Sequence, residues 1–165
     1  NLELPIFLKI APDINETNLE TIIKVADNQK ITGLIISNTT IERITGLKSK
    51  NINEVGGLSG KPLFSKSTNL LALAKQIIKT NNYKLYLIAV GGVSDQYSAY
   101  TKILCGADLI QLYSSMTYEG PMIANKIIKG IQDLMKRDNI QSLDDIRGVA
   151  SNAKIAVKIA KNGLK

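Results

Sequence analysis

Residues 34–43 read LIISNTTIER. Leu34-Ile35-Ile36 is short, made of Leu and Ile and not interrupted by polar positions, which is how a strand buried on both faces of a parallel sheet looks. The run then stops at Ser37-Asn38-Thr39-Thr40, four small polar residues. Parallel sheets collect ligands at the C-terminal edge of their strands. Amides and hydroxyls hung there suit a polar ligand better than they suit a core.

Working outward, three more runs of the same kind stand at PIFLKIA (5–11), LYLIAV (85–90) and DLIQLY (108–113), beside GLIIS (33–37). Helical spacing lies between them. Leu19, Ile22, Ile23 and Ala26 make one apolar face, and Leu70, Leu71, Ala74, Ile77 and Ile78 a second. Ala99, Ile103 and Leu104 make a third, begun by Ser94-Asp95 as a cap and ended by Gly106. A fourth starts at Pro121 and repeats at Ile123, Ile127, Ile131 and Leu134. The order βαβαβαβα predicts an α/β fold with parallel strands. Ser142-Leu143-Asp144-Asp145 then has the form of a capping box with Asp in place of Glu, and a last helix carries Lys154, Lys158, Lys161 and Lys165.

Composition narrows the chemistry. The chain has 165 residues, enough for one domain with a real core, and is 44% apolar with a mean hydropathy of +0.02. No apolar run approaches the ~20 residues of a bilayer span. The absence of His removes Ser-His and Cys-His catalysis and most zinc sites, so no metal is expected. The one Cys forms no internal disulfide and suits a reducing compartment. Of the net charge of +7, residues 121–165 supply +5, from nine Lys or Arg against four Asp or Glu. With no aromatic residue among the tail lysines, a solvated helix face is the expectation there, not a nucleic-acid surface. The first residues, Asn-Leu-Glu-Leu-Pro, have no initiator Met and enter a strand at once, so a further segment is expected upstream.

The strand ends define the candidate site. Lys9 lies inside FLKIA, pointing opposite to its apolar neighbours, where a lysine is costly unless it meets an anion or a polar ligand. Gly91-Gly92 follows the third strand and Tyr113-Ser114-Ser115 the fourth. The last two strand ends of an eightfold barrel are its usual phosphate cradle, where glycines let backbone N–H groups approach. GGLSGKPL (56–63) is no Walker loop, because three residues separate Gly56 from Gly60 and Pro62 stands where Ser or Thr would hold Mg²⁺. Cys105, between Leu104 and Gly106, reads as packing.

FLKIAPD (7–13), SNTTIER (37–43), GGLSGKPL (56–63), AVGGVSD (89–95) and GADLIQLYSSMTYEGP (106–121) occur here in the order and spacing of one family. From residue 4 to about 148 the chain resembles dihydroorotate dehydrogenase, in its class 2, membrane-associated, quinone-reducing form. The resemblance implies a (β/α)8 TIM barrel of which this chain supplies the last four βα units plus C-terminal helices. Residues 1–148 would be the C-terminal half of an FMN-binding barrel and 149–165 a basic helical extension. It implies FMN as cofactor, dihydroorotate and orotate as substrate and product, and a quinone as electron acceptor in pyrimidine synthesis.

By position, Lys9 resembles the lysine beside the flavin ring, and Ser37 falls where the family contacts FMN, usually with Thr. Asn38 and Thr39 match the pair that hydrogen-bonds orotate. Gly60 and Gly92 match glycines that touch FMN through the backbone, and Tyr113 and Ser114 the pair whose main chain holds the FMN phosphate. The family's catalytic base is a serine from the first half of the barrel, which this stretch does not include. Nor does it include the N-terminal helices expected to bring a peripheral contact with the cytoplasmic side of an inner membrane. Two expectations follow: a segment of a longer dehydrogenase, or a half-barrel remnant or FMN- or phosphate-binding module with no dehydrogenase activity of its own.

Overall fold

The computed structural model describes residues 4–164. Asn1, Leu2 and Glu3 of the opening stretch and Lys165 of the last helix lie outside the described residues. The elements run β1 (Phe7–Ile10), α1 (Glu16–Asn28), β2 (Gly33–Ile36), α2 (Phe64–Thr80), β3 (Tyr86–Ala89), α3 (Gln96–Leu104), β4 (Leu109–Ile110), α4 (Ser114–Glu119), α5 (Ile123–Arg137) and α6 (Ala153–Asn162). Single 3₁₀ turns precede α2 at Lys61–Leu63 and α6 at Leu143–Asp145. All strand pairs are parallel, and the sheet order is β1-β2-β3-β4. These are four βα units in sequence order, half the complement of an eightfold barrel.

Register sorts the side chains onto two faces. Ile10, Ile36, Ala89 and Ile110 form one row across the sheet, and Leu8, Leu34 and Leu87 the row two residues back. Within them Leu34, Ile36, Leu87 and Ala89 are fully buried against the helices, with Leu19, Ile23, Leu71 and Leu104 opposite. Each buried Leu or Ile among them contributes about 1.5–3 kcal/mol. The intervening row is Lys9, Ile35, Ile88 and Leu109, and it looks away from the helices. On that face Leu109 is 61% and Tyr86 60% exposed.

Four helices end alike. After α1, α2, α3 and α5, the amides of Ile31, Tyr83, Ala107 and Ile140 donate back five residues, to Ala26, Ile78, Lys102 and Met135. Each is a Schellman turn, and the residue in the left-handed region is Lys30, Asn82, Gly106 and Asn139 respectively. The turn reverses the chain within two residues, which keeps α1, α2 and α3 antiparallel to the strand that follows each.

Two details depart from the sequence reading. DLIQLY contributes only Leu109 and Ile110 to the sheet, and the chain then turns into α4, a six-residue helix that the sequence reading did not include. Only Ser115 of α4 is buried, so no apolar period marks it. The fourth amphipathic helix starts at Ile123, after a turn at Pro121-Met122. The capping boxes at Asp95 and Ser142 both form.

Helix α6 packs on the outside of α3 through Ala153, Ala156 and Ala160, whose small side chains allow close approach. Lys154, Lys158 and Lys161 face solvent. Its far end is held by Arg137, which donates to the carbonyls of Ala160 (2.9 Å) and Lys161 (3.2 Å). Asp138, with its side chain 1% exposed, orients that guanidinium at 2.7 Å and accepts from the Tyr100 hydroxyl at 3.0 Å. The Arg137 hydrogen bond holds the Asp138 carboxyl below its ordinary value of 3.8. A depressed carboxylate stabilises the fold above its unfolded pKa, and that contribution is lost as pH falls through the folded one. Asp138→Asn is therefore expected to cost about 2 kcal/mol in urea unfolding at pH 7, with the difference from wild type shrinking below pH 3.8. Among the described residues no helix is long and apolar enough to cross a membrane.

Candidate functional site

The C-terminal strand ends open onto one cleft of about 690 Å³, within the usual range for a small-molecule site. Lys9, Ser37, Asn38, Thr39, Gly60, Gly92, Tyr113 and Ser114 all line it, so the candidate residues named from sequence come together. Lys9 reaches the cleft because its row of the sheet faces away from the helices, and it is exposed. Its ammonium makes no hydrogen bond or ion pair with another described residue, so its charge is available to a ligand.

The end of β2 is fixed through its backbone. The Ser37 amide donates to Val90 (3.1 Å), the Asn38 amide to Ile10 (2.8 Å) and the Val90 amide to Ile36 (2.7 Å). The Ile36–Ser37 peptide bond is cis. Ser37 is 2% exposed and its hydroxyl donates to the Asn38 carbonyl at 2.9 Å, so that hydrogen is already used. The Asn38 carboxamide, by contrast, is exposed and makes no bond to another described residue.

A long loop returns to this edge. Thr40 and Leu58 exchange backbone hydrogen bonds of 3.1 and 2.7 Å as an isolated antiparallel bridge, which closes residues 41–57 into a flap. Arg43 fills the flap, donating to the carbonyls of Ile41, Ile52, Glu54 and Gly56. The bridge delivers Ser59 and Gly60 to the cleft, and the Ser59 and Ser114 hydroxyls meet at 3.0 Å. Gly57 has to lack a side chain, because a Cβ there would stand 1.9 Å from the Thr39 hydroxyl oxygen.

Behind the cleft a charged cluster ties three segments together. Asp13 accepts from the Thr40 hydroxyl, the Ile41 amide and the Lys66 ammonium, and Lys66 also pairs with Glu42 at 2.6 Å. Burial pushes the Asp13 carboxyl up, but the hydrogen bonds from Lys66, Thr40 and Ile41 outweigh it and hold it below 3.8. Burial likewise opposes the Lys66 charge, and its two carboxylate partners raise it above 10.5. Both groups stay ionised at neutral pH, and the cluster is a brace for the loops after β1 and β2. It was not legible in sequence, since Asp13 and Lys66 are 53 residues apart.

The other side of the cleft offers backbone. The amides of Gly91, Gly92, Ser114 and Ser115 all lie in residues that line it, and none donates to another described residue. Gly91 (φ +106°) and Gly92 (φ +78°) occupy left-handed backbone, and a Cβ on Gly92 would stand 2.4–2.8 Å from Phe64. Successive amides in such a turn make a concavity for an anion. Ser115 anchors the facing loop, its buried hydroxyl donating to Val93 at 2.7 Å. Gly91 and Ser115, named from sequence as strand-end residues, and Lys61 of GGLSGKPL also line the cleft, and Tyr118 and Glu119 join it without having been assigned a role. Among the described residues no group of three or more His, Cys, Asp or Glu could hold a metal ion. The cleft thus combines two lysines, Lys9 and Lys61, a carboxylate, Glu119, an amide with hydroxyls, and a set of free backbone amides.

The chain is similar to known proteins over most of its length. The family model described as dihydroorotate dehydrogenase matches residues 1–135. A protein of Sinorhizobium medicae named dihydroorotate dehydrogenase (quinone) is 46% identical over 144 residues, covering 87% of this chain and 39% of that protein. One of the same name from Agrobacterium fabrum is 44% identical over 147 residues, covering 89% and 40%. Among solved structures, DHODH of Eimeria tenella in complex with ferulenol superposes with a TM-score of 0.81 at 34% identity, covering 88% of this chain and 38% of that one. The chain thus spans about two fifths of the length of the relatives it matches. Its four βα units are part of that family's α/β barrel. With a family match over most of its length and the same fold at 34% identity, the chain belongs to the dihydroorotate dehydrogenase family.

Proposed function

We propose that the protein carrying this chain oxidises dihydroorotate to orotate, with FMN as its flavin and a quinone as electron acceptor, in de novo pyrimidine synthesis. The observation that carries this reading is the convergence of Lys9, Asn38, Thr39 and the free amides of the β3 and β4 loops on one cleft. The residues present fit FMN. Unpartnered amides at Gly91, Gly92, Ser114 and Ser115 suit a phosphate, and a lone lysine on the open face of the sheet suits a ring that gains negative charge.

Bound FMN would supply the two-electron acceptor for this oxidation. Each side chain then has a task of its own. Gly92, Tyr113 and Ser114 hold the phosphate through the main chain, which fixes the cofactor without spending a charge. Gly60 would touch the cofactor through its backbone, in a left-handed conformation (φ +70°) that favours glycine. Ser37 forms wall and turns its hydroxyl onto the backbone. Lys9 stabilises negative charge beside it, an electrostatic contribution that is strongest where water is excluded. Asn38 and Thr39 present donors and acceptors to the substrate's carboxylate and imide-like edges, holding it in one orientation. The proton acceptor belongs to a part of the barrel that this chain does not include.

On this reading residues 1–148 are the C-terminal half of the FMN-binding barrel, and 149–165 are a basic extension docked on it. The protein is peripheral on the cytoplasmic side of an inner membrane, attached through a region other than this chain. The test is anaerobic mixing of the protein from its source cells with dihydroorotate. The expected result is bleaching of the flavin absorbance and its recovery on adding a ubiquinone analogue. Flavin that stays oxidised would overturn the dehydrogenase and favour a flavin-binding module.

A further inference from the structure

Lys102 is fully buried in α3, and among the described residues no carboxylate pairs with it. Its ammonium donates to the Ser67 hydroxyl at 2.7 Å and lies 5.3 Å from the centre of the Phe64 ring. The neighbouring Cys105 thiol, pushed up to about 12 by burial, stays neutral and compensates nothing. Burial also pushes Lys102 down to about 7, so charged and neutral forms coexist near neutrality. An ammonium in a closed interior with one hydroxyl and one ring face for company is expensive, and apolar residues of similar volume would pack there at less cost.

Its surroundings show where the charge is directed. Ser67, which accepts from Lys102, aims its own hydrogen at the Gly91 carbonyl (3.1 Å) and the Phe64 carbonyl (3.2 Å). Gly91 begins the glycine turn that lines the cleft, and Phe64 backs directly onto Gly92. A chain of contacts therefore runs from the Lys102 ammonium through Ser67 to the rear of the turn whose amides are free. With the Gly91 carbonyl engaged from behind, the turn is held with its amides available to the cleft, and the positive charge stands at the rear of the turn. Both favour an anion in front.

We propose that Lys102 is a positioning residue for the phosphate end of the ligand, acting from behind the Gly91-Gly92 turn through Ser67 and lending its charge to the anion held there. This deepens the FMN reading above and rests on it. Lys102 touches no ligand. Its positive charge goes uncompensated in the empty protein and gains an anionic counterpart when the phosphate is in place, so part of its cost is recovered only on binding.

The experiment compares FMN with riboflavin, which has the same ring and no phosphate, by equilibrium titration of the flavin-stripped protein from its source cells. Wild type is set against Lys102→Met, which keeps an unbranched stem and removes the charge. Lys102→Met is expected to weaken FMN binding about 10- to 30-fold, leave riboflavin binding unchanged and leave the melting temperature of the stripped protein equal or higher. If Lys102→Met fails to fold, Ser67→Ala serves instead and is expected to show the same selective loss at about 3- to 10-fold. Equal affinity of wild type and variant for FMN, or equal losses for FMN and riboflavin, would overturn the role of Lys102 while leaving the flavin site standing. A wild type that binds FMN no better than riboflavin would overturn the phosphate cradle and this inference with it.

Discussion

Lys9→Ala is expected to weaken FMN binding, or to slow flavin reduction by dihydroorotate, by about 100-fold, equivalent to about 2.8 kcal/mol. The size follows from the kind of interaction lost: a charge-assisted contact to a delocalised anion, the upper end of single hydrogen-bond effects. The fold should not suffer. Lys9 stands on the open face of β1, exposed, and makes no hydrogen bond or ion pair with another described residue. Its removal leaves no buried partner unsatisfied, so the unfolding free energy in urea should stay within about 0.5 kcal/mol of wild type. Lys9→Met separates charge from stem and should behave like the alanine variant. Flavin titration and stopped-flow reduction at 25 °C provide the readings, and no change in either would remove Lys9 from the flavin's side of the cleft.

Asn38→Ala is expected to raise the KM for dihydroorotate about 30-fold or more while FMN stays bound. The Asn38 carboxamide is exposed at the β2 edge, its backbone is pinned to Ile10, and its side chain has no partner among the described residues. A site built to hydrogen-bond a polar substrate loses more than one contact's worth when the partner is removed, because the substrate's own groups are then buried unpaired. Asn38→Asp sharpens the reading. A carboxylate facing the carboxylate of dihydroorotate adds repulsion to the lost donor, so the KM should rise further than with alanine. Loss of flavin at normal KM would move Asn38 from the substrate to the cofactor.

Much of the fold was legible because each strand carries its own evidence. FLKI, GLII and YLIA are short, largely apolar runs bounded by turns, the trace of parallel strands covered on both faces, although in this chain the row carrying Lys9 and Leu109 is open. The strand-end residues were legible for a topological reason, since every C-terminal strand end in such a sheet meets the same space. What escaped has physical causes too. Helix α4 buries only Ser115 and so has no periodicity to find. The face assigned to α3 from Ala99, Ile103 and Leu104 was too narrow, because Tyr100, Thr101 and Lys102 are buried as well. That helix is enclosed by α2, α5 and α6, so its burial runs all round and a lysine inside it looks, in sequence, like a lysine outside it. The Asp13–Lys66–Glu42 brace and the Arg137–Asp138–Tyr100 group depend on contacts between distant segments, which spacing along the chain does not encode.

The flavin site is the centre of the account, and the visible spectrum of the protein purified from its source cells tests it most directly. The prediction is a flavin spectrum with one FMN per chain, released intact on denaturation and identified by its mass. A colourless protein that takes up no FMN when it is supplied, or one whose flavin proves to be FAD, would contradict it.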